Sequence, residues 1–193
     1  MRIFIALNLP EELRDYVLKG QETLAAADFS VKWVERKNLH LTLEFLGEIE
    51  AFRLPRVEKA VSQAAKEEKP FSLFLQGAGV FPNLKRPRVL WGDIKGEVIN
   101  LKNLQRKIHL NLMEEGLDLE KREFAPHLTI GRVRHPKPLP HSESQKLQQL
   151  LADTFTEPSP FWQVNKVDIM QSILRREGPE YIVQQTFFLG PTE

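Results

Sequence analysis

One four-residue motif occurs twice and constrains the fold more than any other feature of the sequence. It reads HLTL at 40–43 and HLTI at 127–130, so its two histidines lie 87 residues apart. In a β-strand, residues i and i+2 project from the same face. Each copy therefore predicts a strand that presents an imidazole and a hydroxyl side by side, with the leucine between them turned into the core.

The elements around the two motifs are predicted to follow the same order in both halves of the chain. Each half runs strand, helix, motif strand, helix, strand, and the predicted helices at 53–67 and 98–115 carry apolar residues at helical spacing. A half of this size buries little core alone. The sequence therefore predicts a single bilobal domain of two internal repeats, about 1–86 and 87–193, whose motif strands face each other.

Composition excludes several classes of protein. The 193 residues include no cysteine, which rules out disulfides, thiolate catalysis and cysteine-based zinc sites. The formal net charge is +1, too small for a general nucleic-acid-binding surface. No apolar run approaches the roughly 18–20 residues of a membrane span, and the first seven residues are typical of a strand rather than a signal peptide. We therefore expect a cytoplasmic protein without a membrane partner.

Two histidines that face each other could perform acid–base chemistry on a phosphate. One neutral imidazole would accept a proton from water and one protonated imidazole would donate to the leaving oxygen, since the ordinary histidine pKa is near 6.5. Thr42 and Thr129 would donate hydrogen bonds to the other phosphate oxygens. A lone His-x-Thr is usually a structural histidine, but two copies at equivalent places favour a site. A strained cyclic phosphodiester fits it best, without a metal or other cofactor.

The residues around both motifs resemble the 2H phosphoesterase superfamily, and the resemblance covers essentially the whole chain. Within it, the chain is most similar to the RNA 2′,3′-cyclic phosphodiesterases, which are also described as 2′-5′ RNA ligases. The stretches that carry the resemblance are RKNLHLTLEFLG at 36–47 and FAPHLTIGR at 124–132, with support at 2–7, 32–34, 81–83, 86–91 and 178–181.

The resemblance implies a fold, a reaction and roles for the two histidines. The fold is α+β, with two antiparallel sheets lining a central cleft and helices outside. The reaction is metal-independent hydrolysis of RNA 2′,3′-cyclic phosphate ends to 2′-phosphates, with His40 as proton donor and His127 as proton acceptor. The substrate would be RNA with such an end, tRNA fragments included, and the protein a monomer. The residues alone do not separate the donor from the acceptor.

Four further residues are predicted to bind substrate. Strict alternation places Arg132 on the face opposite His127, but Gly131 would permit a bulge that turns the arginine inward. Phe124, three residues before His127, is the preferred base-stacking residue. Lys85 and Arg86 would hold the RNA backbone from a loop. For these residues the competing interpretations are core packing and an ordinary solvated cation.

Three alternative functions stay open at this point. The first is a 2H enzyme for another small cyclic phosphate or a 2′-5′ linkage. The second is a nucleotide- or RNA-binding module without catalysis. The third is a metallohydrolase in which Glu44 or Glu123 joins the two histidines, because Glu44 shares the face of His40 on a regular strand. His109, in the second-half helix, is predicted to lie at the surface.

Overall fold

The computed structural model describes residues 1–27, 30–119, 123–176 and 178–190. Within these residues the chain alternates strands and helices through most of its length. The elements are β1 (Arg2–Asn8), α1 (Glu11–Leu24), β2 (Val31–Trp33), β3 (His40–Glu48), α2 (Leu54–Lys66), β4 (Phe71–Phe81), β5 (Val89–Gly96), α3 (Val98–Glu114), β6 (His127–Val133), α4 (His141–Ala152), β7 (Trp162–Val164), β8 (Lys166–Leu174) and β9 (Pro179–Phe188).

The strands form two antiparallel sheets. The first has the order β3-β1-β8-β9 and the second has the order β2-β6-β5-β4-β7. Each motif strand pairs with one strand that precedes it in the chain, β3 with β1 and β6 with β5. The prediction of an α+β fold with two antiparallel sheets is therefore confirmed.

Each sheet combines strands from both halves of the sequence. In the first sheet β8 pairs with β1, and in the second sheet β4 pairs with β5. If the chain is divided into repeats near residue 86, each repeat contributes its last long strand to the sheet of the other repeat's motif strand. Strand β4 of the first repeat lies in the sheet of β6, and β9 of the second repeat lies in the sheet of β3. The division into two repeats stays a prediction, but the pairing shows that neither half contains a complete sheet.

The helices cover the outer faces of the sheets and complete one continuous core. They pack in pairs, α2 against α3 and α1 against α4. On α3 the fully buried residues fall every three or four positions, at Leu101, Leu104, Ile108 and Leu112, as the sequence pattern predicts. The same core contains the inward side chains of β1, β3, β4, β6 and β8. No helix among the described residues is long and apolar enough to cross a membrane.

Candidate active site

Both motifs contribute to one cavity of about 480 Å³ between the two sheets. His40 and Thr42 reach it from β3, and His127 and Thr129 reach it from β6. Leu41 and Leu128, the residues between each histidine and threonine, are fully buried on the other side of their strands. The two-residue period of the strand thus places the histidines and threonines as the sequence predicts.

The backbone fixes the same ring tautomer in both histidines. The Nδ1 atom of His40 lies 2.7 Å from the carbonyl oxygen of Asn38, and that of His127 lies 2.7 Å from the carbonyl oxygen of Ala125. A carbonyl oxygen only accepts hydrogen bonds, so Nδ1 carries the proton in each ring. Nε2 is therefore the nitrogen left for proton transfer in both histidines.

An aromatic ring meets each imidazole edge-on and restricts its rotation. The rings of Tyr181 and His40 are perpendicular, with centroids 5.1 Å apart, and Phe4 packs against His40 at 4.9 Å. On the opposite wall, the rings of Phe81 and His127 meet at 87° with centroids 5.0 Å apart. The aromatic neighbours and the backbone carbonyls together hold both rings in place.

A β-bulge follows the threonine in each motif and brings one more side chain into the cavity. On β3, Thr42 pairs with Ala6 and Glu44 with Ile5, so Leu43 is the extra residue. On β6, the register shifts in the same way around Ile130. An extra residue reverses the alternation beyond it. Arg132 therefore shares the face of His127, as the interpretation of Gly131 anticipates, and Phe45 shares the face of His40.

Positive charge dominates the lining of the cavity. Apart from the two histidines, its ionisable groups are Arg2, Arg132 and the Tyr181 hydroxyl, and no carboxylate lines it among the described residues. The Arg2 guanidinium lies over the Phe45 ring, 5.2 Å from its centroid. Within the described part of the chain, neither arginine forms an ion pair. The cavity is thus suited to an anion.

Burial lowers the pKa of His40 below its ordinary value of 6.5. The hydrogen bond to the Asn38 carbonyl opposes this shift by favouring the charged ring, while the positive charge of Arg132 adds to it. The neutral form of His40 therefore predominates near neutral pH in the free protein. Burial also raises the pKa of Tyr181, so this hydroxyl stays protonated.

Three of the predicted substrate-binding residues lie outside the cavity lining. Phe124 is half-buried and packs against the hydrophobic core. Lys85 and Arg86 are exposed in the segment between β4 and β5. Closeness in sequence to His127 did not bring Phe124 to the cavity, because this ring packs against the core. Lys85 and Arg86 lie beyond the end of β4, outside the strands that line the cavity.

The bulge on β3 also turns Glu44 away from His40, so the two do not share a face. The carboxylate of Glu44 points toward α3, where it accepts hydrogen bonds from Gln105 at 3.2 Å and from His109 at 2.8 Å. His109, which the sequence predicts to lie at the surface, is half-buried, with 24% of its side chain exposed. Glu123 is exposed and outside the cavity lining. Neither carboxylate joins the two histidines.

Some lining residues carry little or no signal in the sequence. Arg2 and Tyr181 come from β1 and β9, far from either motif along the chain, and only the sheet order brings them to the cavity. Phe45 had a detectable signal that the sequence prediction missed, because it follows His40 by five positions, as Arg132 follows His127.

Comparison with known proteins identifies the family. The model of the LigT-like phosphoesterases matches the chain twice, at residues 7–91 and 95–181. The chain belongs to the 2H phosphoesterase family. Similar proteins named RNA 2′,3′-cyclic phosphodiesterase occur in Methanothermobacter thermautotrophicus, with 35% identity over 98% of this chain and 99% of that protein, and in Aquifex aeolicus, with 35% identity over 82% of each.

Solved structures show the same fold as this 2H phosphoesterase. A protein of Thermus thermophilus superposes with a TM-score of 0.80 and 29% identity, and the match covers 100% of both chains. The apo form of LigT from E. coli superposes with a TM-score of 0.75 and 22% identity, over 98% of this chain and 97% of that one. The second comparison concerns the fold alone.

Proposed function

We propose that this 2H phosphoesterase hydrolyses 2′,3′-cyclic phosphate ends of RNA to 2′-phosphates without a metal ion. The observation that carries the proposal is the meeting of two His–Thr pairs in one cavity whose described lining contains two arginines and no carboxylate. An anionic phosphodiester fits this charge, and two histidines supply both a proton donor and a proton acceptor. Relatives at 35% identity bear the name of this activity.

In the proposed reaction, water attacks the phosphorus and the bond from phosphorus to the 3′ oxygen breaks. The Nε2 atom of His127 takes the proton from water, and the protonated Nε2 atom of His40 gives a proton to the 3′ oxygen. The products are a 2′-phosphate and a 3′-hydroxyl. Thr42 and Thr129 donate hydrogen bonds to the non-bridging oxygens as their charge increases.

The direction of proton transfer depends on what occupies the cavity. The lowered pKa of His40 favours its neutral form in the free protein, which is the form of a base. A bound phosphate anion favours the charged imidazole, because opposite charges at short range stabilise each other. His40 can therefore act as the acid only if the bound substrate raises the pKa of its ring. The positive charge of Arg132 opposes this rise until the phosphate neutralises that charge.

Phosphorus NMR of an oligonucleotide with a 2′,3′-cyclic phosphate end tests the proposal. With excess chelator present, we expect the cyclic phosphate signal to disappear and a 2′-phosphomonoester signal to replace it. His40→Ala and His127→Ala should each lower the rate by about 10²–10⁴-fold, the contribution typical of general acid–base catalysis. Full activity in either variant, or a requirement for a metal, would refute the mechanism.

The remaining expectations concern assembly, natural substrate and location. A monomeric active unit remains a prediction from the sequence. tRNA fragments with cyclic phosphate ends and a cytoplasmic location remain predictions from the sequence.

A further inference from the structure

A second cavity, which we call the lateral cavity, adjoins the site and shares a wall with it. Its volume is about 300 Å³. Asn38, His40 and Tyr181 line both cavities. The perpendicular contact between the His40 and Tyr181 rings thus forms part of a partition between two spaces. A ligand bound at His40 lies next to the lateral cavity.

Three cationic side chains from separate elements line the lateral cavity. Arg14 comes from α1, Lys37 from the short 3-10 helix at 36–38, and Lys166 from the start of β8. Lys166 forms no ion pair among the residues that the structure describes. Lys37 pairs with Glu35 at 3.1 Å, and Arg14 approaches Glu11 at 3.6 Å.

These two ion pairs leave the cations available to a ligand. Glu11 and Glu35 have side chains that are 67% and 57% exposed, and neither lines the lateral cavity. The Lys37–Glu35 pair is exposed on both sides, and such pairs contribute only about 0–1 kcal/mol. Arg14 is more buried and its Nε donates to the Leu9 carbonyl at 3.0 Å, which leaves its terminal nitrogens for a ligand. A phosphate that accepts charge-assisted hydrogen bonds competes with them readily.

The carboxylate in the lateral cavity is already satisfied by the protein. Asp168 is buried, with 2% of its surface exposed. One of its oxygens accepts from the Asn8 amide at 2.7 Å, and the other accepts from the Thr186 hydroxyl at 2.5 Å. With three cations opposing this one carboxylate, the cavity remains positive.

We propose that the lateral cavity binds the internucleotide phosphate next to the cyclic end of the RNA strand. This inference rests on the proposed function and specifies its substrate class, since it makes oligonucleotides better substrates than cyclic mononucleotides. In such a strand, one ribose carries the cyclic phosphate and continues through its 5′ oxygen to the next phosphate. Two neighbouring cavities match two neighbouring phosphates, the first beside the two histidines and the second beside the ammonium and guanidinium groups.

The test compares kcat/KM for a tetranucleotide with a 2′,3′-cyclic phosphate end and for a 2′,3′-cyclic mononucleotide. We expect the wild-type protein to prefer the tetranucleotide. In the variant Lys37→Ala/Lys166→Ala this preference should fall about tenfold at low salt, and the slope of log kcat/KM against log salt should become shallower by about 0.7 for each phosphate that the variant no longer neutralises. Lys69→Ala/Lys102→Ala removes the same charge from exposed positions outside both cavities and should leave the preference unchanged.

The outcomes separate this inference from the proposed function. Hydrolysis of both substrates with an unaltered preference in the Lys37→Ala/Lys166→Ala variant would overturn the lateral site and leave the function intact. If the wild-type protein hydrolyses neither substrate, the proposed function fails. Binding of a tetranucleotide with a 2′-phosphate end then decides the lateral site. Weaker binding by that variant than by the control supports it, and equal binding overturns it.

Discussion

At the scale of the residue, the position five places after each motif histidine makes the two walls of the site different. Arg132 occupies it on β6 and Phe45 occupies it on β3, where the ring lies under the Arg2 guanidinium. Each wall thus has an arginine at this level. On β6 it is Arg132 itself, and on the other wall it is Arg2 of β1, which packs on Phe45. Of these two arginines, Arg132 is the one that lowers the pKa of His40.

Removing the charge of Arg132 should raise the pKa of His40. This pKa lies below 6.5 in the free protein because of burial first and Arg132 in addition. In Arg132→Gln it should move upward and stay below 6.5, since burial persists. An NMR titration of the His40 ring measures the shift directly.

Arg134→Gln serves as the matched control for that titration. Arg134 is exposed, lies just beyond the end of β6 and does not line the cavity. Its replacement changes the net charge equally and should leave the His40 titration unchanged. An unchanged or lower pKa in Arg132→Gln would contradict the electrostatic account.

The residue scale also shows which site residues a sequence can reveal. His40, Thr42 and their counterparts follow from the two-residue period of a strand, which needs no tertiary information. Arg132 turns inward because of a bulge on β6. Gly131 makes such a bulge possible, but a glycine alone does not show that one is present. Phe124, in contrast, shows that distance along the chain is a poor guide once a segment leaves the strand.

At the scale of the element, Gly131 links the bulge on β6 to the packing of β2. A methyl group at this position would lie 2.7 Å from Val31 and 2.9 Å from the Trp33 ring, both on β2. These distances are shorter than carbon–carbon contacts allow, so the Val31 and Trp33 side chains, or the three-residue strand that carries them, would have to shift. Glycine therefore serves close packing here as well as the bulge.

Gly131→Ala should destabilise the protein and weaken substrate binding. Displacement of β2 should lower the free energy of unfolding by about 1–3 kcal/mol, the usual cost of overpacking. KM should rise more than kcat falls, because Arg132 follows Gly131 directly while His127 lies four residues before it. Urea denaturation and steady-state kinetics measure the two effects. Unchanged stability would show that β2 accommodates the methyl group.

At the scale of the whole molecule, the exchange of strands between the halves makes each half dependent on the other. A fragment of residues 1–86 would leave β4 without β5 and β7, and would leave one side of β1 without β8. Unpaired strand edges and an exposed core face leave such a fragment without sufficient burial.

We therefore expect the fragments 1–86 and 87–193 to be unfolded separately and to regain structure when mixed. Far-ultraviolet circular dichroism during heating should show a cooperative transition only for the mixture and the intact chain. The intact protein is the control for the transition expected of a complete pair of sheets. Cooperative unfolding of fragment 1–86 alone would contradict this dependence.

The fold class was predictable from the sequence, whereas the strand exchange was not. Strand β6 begins at the predicted motif and α3 ends one residue earlier than the helix predicted at 98–115, because hydrophobic periodicity is a local signal. The pairing of β1 with β8 joins residues more than 160 positions apart, and no local pattern records it. Periodicity predicted the individual strands, and only the resemblance to the family predicted that they form two antiparallel sheets.

The anchoring of both imidazoles by main-chain carbonyls has a consequence for how the site tolerates genetic change. Every amino acid supplies a carbonyl, so a substitution at Ala125 leaves the acceptor for the His127 ring in place. A site whose rings were oriented by carboxylate side chains would lose that orientation through one codon change. Here the backbone sets which ring nitrogen of each histidine carries the proton. Substitution of the neighbouring side chains therefore leaves both tautomers unchanged.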